Sequence, residues 1–141
     1  MKKLFFGGSE TTVTADLSLA MLRIFTGLAM AFGHGIRKMP PSEGFIQGTA
    51  DMGFPFPTFF ATMAGYSEFL GGIFLALGFM TRPAAFFVSA TMIVAAFVRH
   101  ADDPFGSAEK AYLYLVIGLV YLVLGSGRLS LDQVIRRRLN I

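Results

Sequence analysis

The chain has 141 residues, 54% of them hydrophobic and 15% charged, with a net charge of +3 and a mean hydropathy of +0.60. Soluble domains ordinarily carry about 25% charged residues, so this composition excludes both a disordered chain and an ordinary wetted surface, and the length allows one domain over residues 1–141. The absence of cysteine excludes disulfides, CxxC redox pairs, thiolate nucleophiles and Cys-bound metal centres. The twelve basic residues are too dispersed for nucleic acid, apart from Arg136-Arg137-Arg138, which suits an anionic lipid surface.

Four apolar stretches, at about 17–36, 58–80, 83–98 and 111–125, approach the roughly 20 residues that about 30 Å of hydrocarbon requires. None alternates with period two, and Gly and Pro gather between them. The pattern therefore predicts an all-α integral membrane four-helix bundle rather than a barrel. Asp16 is placed to cap the first helix and Met39-Pro40-Pro41-Ser42 to end it. Pro55 and Pro57 precede the second, and Thr81-Arg82-Pro83 makes a tight turn that folds the second and third into an antiparallel hairpin. The connection at about 42–57 is too apolar for a solvated loop, and is expected at the membrane interface with Phe45, Ile46, Phe54 and Phe56 dipping inward.

Ala29-Met30-Ala31 has the small-x-small form of a signal cleavage site, but Arg23 interrupts the apolar run and Glu10 and Asp16 precede it, so cleavage is not expected. Lys2, Lys3, Arg82, Arg128, Arg136, Arg137 and Arg138 fall on one side of the bundle; Arg37, Lys38, Arg99 and Lys110 fall on the other. That excess predicts both termini in the cytoplasm and a multi-pass protein of the inner (plasma) membrane.

Charge within a span costs about 2.5–3.5 kcal/mol on insertion scales, so each such residue needs a partner or a purpose. Arg23 lies about 9 Å and Glu68 about 18 Å from the cytoplasmic side at 1.5 Å per residue. Long side chains can bridge that offset, which predicts a buried Arg23–Glu68 ion pair; a proton-handling Glu68 is the other reading. Arg23, Gly27, Met30, His34 and Lys38 share one face of the first helix, and Ala61, Gly65, Glu68, Gly72 and Ala76 form a small-residue stripe that turns Glu68 inward.

Towards the outer side, His34 and His100 lie at matching depth, about 25 Å from the cytoplasmic face. Ser89, Met92, Ala96 and His100 share a helix face, with Arg37, Lys38 and Arg99 at the same level. Such a group can anchor lipid phosphates, hydrogen-bond a ligand carbonyl or bind metal; two histidines without a third close ligand make only a weak metal signal, and no metal site is assigned. On the fourth helix Tyr114, Gly118, Tyr121 and Gly125 share a face, as belt or packing residues.

Leu22-Arg23-Ile24 with Gly27 and Gly33-His34-Gly35-Ile36-Arg37-Lys38 resembles the first-helix pattern of the DoxX family. The resemblance continues through Gly53-Phe54-Pro55-Phe56-Pro57, Glu68-Phe69-Leu70-Gly71-Gly72, Thr81-Arg82, a third helix ending at His100, and Gly127-Arg128-Leu129-Ser130-Leu131-Asp132. It implies a four-helix inner-membrane protein of the same broad group as the DoxD-type subunit of thiosulfate:quinone oxidoreductase, whose members are linked to sulfur oxidation and oxidative-stress redox complexes. The family's polar positions here are Arg23, His34, Lys38, Glu68 and His100.

The function this suggests is an accessory subunit with no covalent cofactor, binding a quinone between His34, Lys38, Glu68 and His100 beneath Phe54 and Phe56 and taking electrons from a partner oxidoreductase. Two readings compete. A non-enzymatic scaffold or assembly factor would grip a partner or lipid through its basic tail, and a small-molecule transporter would need a homo-oligomer to line a path.

Overall fold

The computed structural model describes residues 13–140; Lys2, Lys3 and Glu10 lie outside them. Helix α1 (Val13–Leu28) runs on through a π turn (Ala29–His34) and a 3-10 turn (Gly35–Lys38). It is followed by α2 (Glu43–Asp51), α3 (Pro57–Leu77), α4 (Thr81–Val94, prolonged by a π turn Ala95–Arg99), α5 (Phe105–Leu124) and α6 (Leu131–Arg138). Four of these rods, Val13–Lys38, Pro57–Leu77, Thr81–Arg99 and Phe105–Leu124, are long and apolar enough to cross a membrane. The shortest has 19 residues, about 28 Å at 1.5 Å per residue, close to the hydrocarbon thickness. The fourth span begins earlier than its hydropathy suggests, because its polar first turns, with Ser107, Glu109 and Lys110, already belong to the helix that starts after Pro104.

Helix α3 packs between α1 and α4, and α4 packs on α5. The bundle closes where the Tyr121 hydroxyl donates to the Leu19 carbonyl at 2.6 Å, joining α5 to α1. Large apolar side chains such as Phe25, Phe86 and Val123 point outward, as a lipid solvent allows, while much of the interior is lined by Ala20, Ala31, Ala61, Ala76, Ala84 and Ala85. The small stripe on α3 faces α1 as expected: a Cβ on Gly72 would lie 2.7 Å from the Gly27 carbonyl oxygen and 2.8 Å from the Ala31 nitrogen. The two backbones approach that closely because neither glycine has a side chain.

At the end carrying α6, Gly78 closes α3 in the left-handed region at φ 66°. The first N–H groups of α4 lack intrahelical partners, and the Asp132 carboxylate supplies them. It accepts from Met80 N at 2.8 Å, Thr81 N at 3.0 Å and Thr81 Oγ1 at 2.8 Å, while its own N–H donates to the Gly78 carbonyl. The chain's last helix thus caps the α3–α4 turn. Asp16 is not the helix cap the sequence suggested: it is buried within α1 and pairs with Arg128 Nε at 3.3 Å.

The connection expected at the interface folds half its length into α2. Its start is capped by Ser42, whose side chain accepts from Phe45 N at 3.3 Å. Phe45, Ile46 and Phe54 are partly buried, whereas Phe56 is 78% exposed.

Candidate functional site

The expected Arg23–Glu68 pair is replaced by two separate arrangements. Arg23, buried in α1, sends one guanidinium nitrogen to the carbonyls of Leu75 (2.8 Å) and Ala76 (2.9 Å) and the other to Leu129 O (2.7 Å). The first two belong to the last turn of α3, where carbonyls lack the usual i+4 partner and carry the negative end of the helix dipole; Leu75 O also accepts from Gly78 N at 3.1 Å. A helix C-terminus and the Leu129 carbonyl therefore hold the two terminal nitrogens of the cation without a carboxylate, while its buried Nε has no hydrogen-bond partner. Glu68 lies seven residues earlier on α3, about 10 Å away along the axis.

Glu68 pairs instead with Lys38: Nζ donates to Oε1 at 2.5 Å. The carboxylate is 0% exposed and the lysine 31%, and the other oxygen, Oε2, has no hydrogen-bond partner. Lys38 Nζ also sits 5.3 Å from the centroid of the Phe45 ring on α2, within cation–π range.

Both members of the pair line a cavity of about 640 Å³ between α2, α3 and α4. That volume falls within the roughly 300–1,000 Å³ usual for small-molecule sites. Its walls are rich in phenylalanine: Phe45 and Phe54 from the α2 region, Phe59 and Phe60 from α3, Phe87 from α4. Phe54 and Phe60 pack at 5.0 Å between centroids. Polar groups interrupt this wall at Lys38, Glu68, Arg99 and His100. His100 Nδ1 lies 2.7 Å from Asp103 Oδ2.

Of the four residues proposed to converge, three line this cavity and His34 does not. The cause is the backbone. An unbroken α-helix would put His34 and Lys38 on one face, but the π turn through Ala29–His34 and the 3-10 turn that follows change the phase. At about 3.0 residues per turn, four residues of 3-10 helix rotate by roughly 120° beyond a full turn. Lys38 therefore reaches α3, while the His34 ring stands edge-on to Tyr114 of α5, 5.5 Å between centroids. The π turn Ala95–Arg99 acts likewise on α4: Ser89, Met92 and Ala96 stay buried in the bundle, and His100 turns away from them to the cavity.

Sequence reasoning grouped Arg99 with this cluster by depth but left it out of the ligand site, and it took the cover of the site for an apolar connection rather than the helix α2. A signal for α2 was present in Ser42-Glu43, a capping residue followed by an acid in the first turn. Among the described residues, no three His, Asp or Glu side chains group as metal ligands.

Comparison with known proteins places the chain among membrane proteins. The chain is 32% identical over 118 residues to a Bacillus subtilis (strain 168) protein named "Putative oxidoreductase CatD", covering 83% of this chain and 86% of that one. It is 30% identical over 137 residues to "Inner membrane protein YphA" of Escherichia coli (strain K12), covering 91% and 94%. An uncharacterized Haemophilus influenzae protein matches at 27% identity over 89% of this chain and 87% of its own. No solved structure matches. The DoxX family model matches residues 18–101, from α1 to just past His100, and the chain belongs to the DoxX family of multi-pass inner-membrane proteins.

Proposed function

We propose that this protein is a quinone-binding accessory subunit of a membrane redox system, with its termini in the cytoplasm and its cavity towards the outer side. The observation that carries the reading is the phenylalanine-lined cavity with a Lys38–Glu68 pair in its wall. A quinone ring is flat and apolar with two carbonyl acceptors, and its isoprenoid tail is a lipid. Aromatic walls suit the ring, and Lys38 and Arg99 supply donors for its oxygens.

With no cysteine in the chain, electrons would come from a partner. The oxidoreductase name carried by the Bacillus relative fits that association. The orientation rests on Arg82, Arg128 and Arg136-Arg137-Arg138 gathering at the end that α6 caps.

The test is to purify the protein in mild detergent, extract it with organic solvent and quantify isoprenoid quinone against phospholipid. Wild type should retain quinone in near-stoichiometric amount, and Lys38→Met with His100→Ala should lose it. A soluble partner co-purifying without quinone would favour the scaffold reading.

A further inference from the structure

Resting on that reading, we infer that the cavity discriminates between the two states of its ligand and binds the hydroquinone in preference to the quinone. The basis is the balance of donors and acceptors around it. A quinone carbonyl oxygen only accepts hydrogen bonds, whereas a hydroquinone hydroxyl both donates and accepts. Donors such as Lys38 and Arg99 can therefore serve either state. Acceptors serve the reduced state alone.

Beside the cavity hydroxyls of Thr49, Ser67 and Thr91, which already donate to backbone carbonyls of their own helices, two stronger acceptors stand out. The first is Glu68 Oε2, which is buried and has no hydrogen-bond partner. Its twin Oε1 is held by the Lys38 ammonium, so the group is paired as a carboxylate, an acceptor through both oxygens. A buried carboxylate oxygen left without a partner in a cavity wall is costly, and a hydroxyl that donates to it makes a charge-assisted bond. A second cation there is disfavoured, because Lys38 already offsets the charge.

The second acceptor is on His100. Asp103 Oδ2 can only accept, so His100 Nδ1 is the donor in their 2.7 Å contact. In the neutral ring this leaves Nε2 as an acceptor on a cavity-lining side chain. The two groups come from different helices, α3 and the end of α4, so a ring between them could offer a hydroxyl to each. Phe45, Phe59, Phe60 and Phe87 suit either oxidation state and do not bear on the choice.

The test compares the two states of one compound. Wild-type protein in detergent is titrated anaerobically with a decyl-substituted benzoquinone and with its hydroquinone, by calorimetry. The hydroquinone should bind about tenfold or more tighter, which raises the potential of the bound two-electron couple by about 30 mV per tenfold. In Glu68→Gln the preference should collapse, because an amide can turn its N–H2 towards a carbonyl. Equal affinities, or tighter binding of the quinone, in the wild type would overturn this inference and leave the quinone site standing. Binding of neither compound would overturn both, and the wild-type comparison decides whether or not the variant folds.

Discussion

Lys38 Nζ and Glu68 Oε1 stand 2.5 Å apart, joining the C-terminal end of the first span to the middle of the second. Breaking a buried pair from one side costs about 3–5 kcal/mol, less where one partner reaches solvent. The two partners differ in that respect. Lys38→Met strands a carboxylate that is 0% exposed, whereas Glu68→Gln leaves a lysine that is 31% exposed and can find water. Lys38→Met should therefore lower the melting temperature in detergent more than Glu68→Gln, and the double variant should be more stable than Lys38→Met alone. Equal, additive losses would contradict the pairing.

Arg23 and Glu68 should behave as independent sites, since the guanidinium is held by Leu75, Ala76 and Leu129 carbonyls. Melting temperatures converted to free energies should show Arg23→Leu and Glu68→Gln adding within about 0.5 kcal/mol. Arg23→Lys should be nearly as damaging as Arg23→Leu, because one ammonium cannot reproduce a fork that spans two helix-end carbonyls and a loop. Recovery of stability in the double variant would restore the ion pair that the sequence suggested.

Asp132 is expected to matter out of proportion to its place near the chain end. Asp132→Ala removes the acceptor for Met80 N, Thr81 N and Thr81 Oγ1 at once. Loss of a helix cap ordinarily costs about 0.5–2 kcal/mol, and three acceptor contacts put this variant at the upper end. Deletion of residues 136–141, which leaves Asp132 in place, should cost less in the same thermal assay. The reverse order would mean that α6 contributes through its arginines rather than through the cap.

Orientation can be checked without purification. Reporters fused after Ile141 should be active only in their cytoplasmic form, and reporters inserted near Asp103 only in their external form. The opposite pattern would invert the bundle and place the cavity on the cytoplasmic side.

Much of this arrangement was legible in the sequence, and the parts that were not share a cause. Span number, the inward stripe of Ala61, Gly65, Glu68, Gly72 and Ala76, and the antiparallel hairpin of α3 and α4 follow from hydropathy and helical spacing, both properties of regular α-helix, although the turn itself is Gly78-Phe79-Met80 and Thr81-Arg82-Pro83, expected as the turn, already opens α4. His34 was misassigned because regular spacing fails there: a π turn followed by a 3-10 turn separates it from Lys38, and neither turn leaves a mark in composition. Arg23 was given the wrong partner because a search for opposite charges overlooks the helix end as an anion. Asp132 was missed for a similar reason, since its partners are backbone N–H groups some fifty residues away.

The central claim, that the cavity under α2 holds a quinone, is tested most directly by photolabelling. An azido-benzoquinone with a short isoprenoid tail would be cross-linked to the purified protein and the labelled peptides mapped by mass spectrometry, with an excess of unlabelled quinone as competitor. Competable label should fall on peptides within 45–63 and 87–100, which carry most of the cavity-lining side chains, and should survive His34→Ala while weakening in Lys38→Met and His100→Ala. Competable label around His34 and Tyr114 instead, or label that no competitor displaces, would contradict the site.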